Sequence, residues 1–137
     1  MATTIIKKLN CFQPVMLLAA RLLIARVFFA SGMLKISDWA STVELFTNEH
    51  PVPFFPPEIA AFLGVTFELA CPILLTLGLA SRVATLPLLA MTAVINFTYQ
   101  DAFEHYFWAA ALGTILCYGP GKMSLDAIFA RKYIKGI

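Results

Sequence analysis

The feature that limits this chain most is a set of four long apolar runs, residues 14–36, 57–79, 83–99 and 103–118, the first two separated by a long loop and the others by short joints. A helix that crosses a bilayer needs about 20 mostly apolar residues, so the first two runs meet the requirement and the last two approach it. Of the 137 residues, 60% are hydrophobic and 13% charged, whereas soluble domains are roughly half apolar and about a quarter charged. A chain of this length lacks the interior to hide so much apolar surface from water. Disorder, collagen, coiled coil and a disulfide scaffold are all excluded by the same composition. A net charge of +2 provides no basic stripe for nucleic acid. What remains is an all-α, polytopic membrane protein whose partner is the lipid bilayer.

The charges sort into two sets. Lys7 and Lys8 precede the first run, Arg82 joins the second and third, and Lys122, Arg131, Lys132 and Lys135 follow the fourth. The other loops hold Asp38, Glu44, Glu49, Glu58, Asp101 and Glu104, with Lys35 as their one cation. Basic residues collect on the cytoplasmic side of membrane proteins. The pattern predicts a single domain over residues 1–137, a four-transmembrane-helix bundle with both termini cytoplasmic. The first run is too long for a signal-peptide core and contains Arg21 and Arg26, so it is expected to be retained.

Two segments fall outside the runs. Residues 38–46 place Trp39, Val43 and Phe46 at helical spacing after a Ser37 or Asp38 cap, which predicts a short amphipathic helix within the outer loop 37–56. Pro51, Pro53, Pro56 and Pro57 stop that helix, and the segment is expected to tuck back over the bundle as a structural plug, with a lid over a cavity as the alternative. After the fourth run, Ser124 is placed to cap a cytoplasmic amphipathic tail, residues 124–135, with Leu125, Ile128, Phe129 and Tyr133 on one face. That tail reads as an interfacial foot, with a partner-docking helix as the alternative.

Charges inside the runs are costly, about 2.5–3.5 kcal/mol each at a helix centre. Arg26 lies about 18 Å along a helix begun at Pro14, and Glu68 sits at a similar depth in the second run. An Arg26–Glu68 pair between the first two helices is therefore expected, with Arg21 joining it or snorkelling inward. Such a pair either fixes register or lines a polar cavity. A second cluster, Asn96, Tyr99, His105 and Trp108, combines aromatic and polar groups that suit a flat amphiphile such as a quinone, or an ordinary aromatic belt. His50, His105 and Glu104 are the weak candidates for metal ligands, without the convergent spacing a metal site needs, and no metal is expected. Cys11, Cys71 and Cys117 are far apart, and Cys71 reads as a small buried hydrophobe. Ala60/Gly64 and Ala109/Gly113 are small-residue pairs that permit close helix packing and leave a homo-oligomer open.

Taken together, the run from Arg21 through Arg26, Ser31, Gly32 and Lys35 to Trp39 resembles the opening of the DoxX family of small bacterial membrane proteins. The Pro56-Pro57 pair, Glu68, the Leu79-Ala-Ser-Arg82 joint and the closing Gly119-Pro-Gly-Lys-Met-Ser124-Leu125-Asp126 fit the same pattern. The resemblance covers roughly residues 14–126. It implies a four-helix protein of the bacterial inner membrane, in a family named after a subunit of a thiosulfate:quinone oxidoreductase. The leading expectation is an accessory or subunit of a quinone-linked redox assembly without independent catalysis, acting with a protein partner and with quinone as the cofactor class. The alternatives are a transporter or exporter accessory for a metal or small solute, and a scaffold that recruits a soluble enzyme.

Overall fold

The computed structural model describes residues 2–98 and 103–135, and the expectations for Tyr99 and Asp101 lie outside them. Among the described residues there are six helices and no strand: α1 (Ala2–Ser37), α2 (Trp39–Asn48), α3 (Pro57–Leu77), α4 (Ser81–Thr98), α5 (Phe103–Tyr118) and α6 (Leu125–Lys135). Their boundaries follow local chemistry. Asp38 caps α2, its Oδ1 accepting from the Ser41 amide at 3.1 Å and its Oδ2 from the Ser41 hydroxyl at 2.7 Å. Pro57 occupies the first turn of α3, where its missing N–H has no cost. Gly78 ends α3 with φ at +69°, a conformation that glycine adopts without strain. Ser124 caps α6, its hydroxyl oxygen accepting from the Ala127 amide at 3.2 Å.

One boundary differs from expectation. The first helix starts at Ala2 and passes through Pro14, well before the residue 14 start of the apolar run. Proline removes one backbone donor and can kink a helix; the polar residues ahead of it continue the helix in exposed positions.

The four long helices close a ring of contacts: α1 packs on α3, α3 on α4, α4 on α5 and α5 back on α1. Ile24, Ala25, Phe28, Cys71, Leu75, Ala84, Leu88, Leu112 and Ile115 form the shared core. Outside this core the ring is apolar too, with Leu23, Leu34, Phe62, Ile73, Val83 and Phe107 all exposed. A water-facing protein rarely shows that much contiguous apolar surface, whereas a lipid-facing one needs it. Both α1 and α3 are long and apolar enough to cross a membrane. The 18 residues of α4 and 16 of α5 extend about 27 and 24 Å, so length alone does not make them spans.

The antiparallel register of α1 on α3 decides which charged residues can meet. Gly32 lies against the side chains of Glu68 and Leu69, and Arg21 reaches Gly78. Thus Gly32, not Arg26, stands opposite Glu68, a slip of about 9 Å in helix rise from the expectation. Matching the ends of the apolar runs misleads, because α3 rises past the end of α1 and meets α2 there, where the Phe46 ring seats on Gly64.

Candidate functional site

The expected Arg26–Glu68 pair is absent. Arg26 faces outward in a shallow groove between α1 and α3, beside Leu22, Phe29, Pro72 and Ile73. Side chains on a helix tilt toward its N-terminus, which aims the guanidinium toward the α6 end of the assembly, as in snorkelling.

Glu68 pairs instead with Lys35, whose Nζ donates to Oε1 at 2.5 Å. Lys35 also donates to the Ser31 hydroxyl at 3.2 Å, one turn earlier on α1. The charge pattern of the sequence puts Lys35 among the loop residues; α1 continues through it to Ser37, and its tilt carries the ammonium back to the level of Glu68. The available signal is the Ser31/Lys35 spacing of one helical turn. Thr42 fixes α2 over this point, its hydroxyl donating to the Lys35 carbonyl at 2.8 Å.

Beside the pair lies a cavity of about 510 Å³ between α3 and α4, roofed by α2 and by residues 50–55. Leu45, Phe46, Leu63, Phe67, Met91 and Val94 make its walls apolar, while Lys35, Glu68 and His50 supply the polar groups. Glu68 is 1% exposed, and the Ser31 hydroxyl lies beside its carboxylate as well as Lys35. The proline-rich strap lines the cavity through His50, Val52 and Phe55. His50 is buried; its pKa is lowered by burial first, with Glu49 opposing and Lys35 and His105 adding to the decrease.

The second expected cluster does not line this cavity. Among the described residues, Asn96, His105 and Trp108 are absent from its walls. His105 stacks edge-on with Trp108 at 4.8 Å, and Trp108 meets Phe28 at 5.8 Å, so this pair belongs to the packing around the core. Glu104 is exposed, and no group of three or more His, Cys, Asp or Glu side chains converges among the described residues.

Arg21 has a different setting at the other end. It is 1% exposed, and its Nη2 donates to the Met123 carbonyl at 2.6 Å. Asp126 lies in its field and caps α4, its Oδ1 accepting from the Ala80 amide at 2.8 Å and its Oδ2 from the Ser81 amide at 3.1 Å. The Asp126 amide donates back to the Gly78 carbonyl at 2.9 Å. The α3–α4 joint, the start of α6 and Arg21 therefore interlock. A second cavity of about 490 Å³ lies near this knot, lined by Gln13, Arg82, Tyr118 and Lys122 among others, and Arg21 does not border it.

The sequence is similar to known proteins. The DoxX family profile matches residues 16–101. Inner membrane protein YphA of Escherichia coli K12 is 30% identical over 134 aligned residues, spanning 83% of this chain and 90% of that protein. No solved structure matches.

Proposed function

Because the chain belongs to the DoxX family of membrane proteins, we propose that it is a four-span protein of the bacterial inner membrane, a single domain with both termini in the cytoplasm. The closed ring of α1, α3, α4 and α5 supports four spans. The gathering of Lys7, Lys8, Arg82, Lys122, Arg131 and Lys132 toward one side supports the orientation. In that frame α6 rests on the inner interface, its exposed Ile128, Phe129 and Tyr133 toward lipid and its basic residues toward anionic headgroups. Reporter fusions at each terminus test the orientation; extracytoplasmic activity at either end refutes it.

The proposed role is an accessory subunit of a membrane redox assembly that holds a quinone-type amphiphile in the cavity under α2. The observation that carries this reading is the union of apolar walls with a partly buried Lys35–Glu68 pair at one cavity. Ligand sites are concave, mostly apolar, and oriented by a few polar groups. A flat ring with a lipid tail enters from the bilayer, its polar head meeting the pair and its tail leaving along α3 and α4. Arg26 has no part in this cavity, and Arg21 is assigned to fixing the fold.

Purification from native membranes with identification of bound quinone and of co-purifying proteins tests the role. Wild-type protein is expected to carry quinone and a redox partner, and Ala90→Trp, which fills the cavity wall, to lose the quinone. Native protein without bound quinone or an oxidoreductase partner would overturn the reading.

A further inference from the structure

The cavity of about 490 Å³ at the α6 end differs in chemistry from the one under α2. Its cations are Arg82, from the first turn of α4, and Lys122, from the turn between α5 and α6. Asn10 and Gln13, three residues apart on one face of α1, add neutral amides, and Tyr118 adds a hydroxyl. Among the described residues Asp126 is the one acid on its wall, and both its oxygens already accept from the Ala80 and Ser81 amides. The backbone places Arg82. Gly119, at φ +77°, lies against its guanidinium, and a Cβ there would come within 3.3 Å of Nε and 3.4 Å of Nη2. Nη2 donates to the Cys117 carbonyl at 3.3 Å, which uses one of the five N–H groups an arginine offers. The side chain stays exposed, so its other donors remain open to a ligand.

Two cations beside a single, committed acid favour an anion. The surroundings say which one. Val15 and Met16 on α1 and Val83 next to Arg82 are exposed and apolar, so the hollow borders surface that a membrane protein turns to lipid. Basic pockets between helices at that level take phospholipid headgroups. We propose that this cavity binds one anionic phospholipid. Its phosphodiester meets Arg82 and Lys122, its hydroxyl-bearing headgroup meets Asn10 and Gln13, and its acyl chains run along Val15, Met16 and Val83. The proposal is independent of what occupies the cavity under α2 and rests on the ring of helices crossing the bilayer. Arginine suits a phosphate because its planar fork can donate two parallel bonds. A zwitterionic lipid brings an ammonium beside two cations and is disfavoured. A lipid held here borders α1, α4 and the α5–α6 turn at once.

Native mass spectrometry of the full-length protein in neutral detergent, titrated with dioleoylphosphatidylglycerol or dioleoylphosphatidylethanolamine, tests this. Wild-type protein is expected to retain one phosphatidylglycerol, bound about tenfold more tightly than phosphatidylethanolamine. Lys122→Gln, at an exposed position, is expected to cut that preference to about threefold or less, and Arg82→Gln combined with it to remove the preference. Lys132→Gln removes an exposed charge of α6 that is not on the cavity wall and should change nothing. Equal retention of both lipids by wild-type protein overturns the proposal, as does an undiminished preference in Lys122→Gln. Equal losses in Lys122→Gln and Lys132→Gln overturn it in favour of diffuse surface charge. Displacement of the lipid by millimolar inorganic phosphate overturns it in favour of a soluble anion. The Lys122→Gln comparison decides even where the Arg82 variant does not fold.

Discussion

At the α6 end of the ring, Arg21 is buried against the Met123 carbonyl in the field of Asp126, and Asp126 in turn caps α4. At the α2 end, Glu68 is buried to the same extent but pairs with Lys35 and borders a cavity. Arg21 also has nitrogens without partners, Nε and Nη1, yet it lines neither the cavity under α2 nor the one beside Arg82. Buried charge alone does not distinguish a structural group from a binding one. What separates these two is that Glu68 lines a cavity and Arg21 lines neither of those described.

The most damaging way to probe the contrast is at Gly78. A Cβ there collides with the Arg21 guanidinium and Ser124, and the left-handed backbone adds strain. Gly78→Ala is expected to cost about 3 kcal/mol or more, seen as loss of monodisperse protein in detergent. Asp126→Ala removes the α4 cap and should lower stability by about 1–2 kcal/mol, read by thermal unfolding, with quinone binding retained. If binding falls in parallel with stability, the two ends are not independent.

Ala90→Trp is the converse test. Ala90 borders the cavity in an exposed position, so stability should change by less than about 0.5 kcal/mol while ligand binding is lost. A fall in stability matching that of Asp126→Ala would dissolve the distinction. The smallest effect concerns His50. Its pKa is lowered in the folded protein, chiefly by burial, so below the ordinary value near 6.5 the unfolded chain binds more protons. Stability should then decline as pH falls from about 6.5 toward the lowered value and be flat above that window. His50→Asn should flatten the acid limb in a pH series of thermal unfolding.

Much of the architecture is legible in the sequence because it is local. The apolar runs, the Asp38 and Ser124 caps and the turn at Gly78 are each written in neighbouring residues, and the helices begin or end at them. The charge pair is not legible in the same way. Arg26 and Glu68 match in depth only if the ends of two runs are aligned, and the structure aligns Gly32 with Glu68 instead. Lys35 reads as a loop charge because the apolar run ends beside it, but the backward tilt of helical side chains returns its ammonium to the bundle. The Asn96–Trp108 cluster has suitable chemistry, yet His105 and Trp108 turn toward each other and Trp108 toward Phe28.

Composition and spacing by themselves determined that this chain is helical, apolar on its outside and asymmetric in charge, since those properties are sums over neighbouring residues. Only tertiary structure decided which buried charges meet. That depends on a helix-to-helix register set by a glycine accepting a leucine and a phenylalanine seating on another glycine, contacts between residues far apart in the chain. A slip of nearly two helical turns leaves every local pattern intact and exchanges Arg26 for Lys35 as the partner of Glu68.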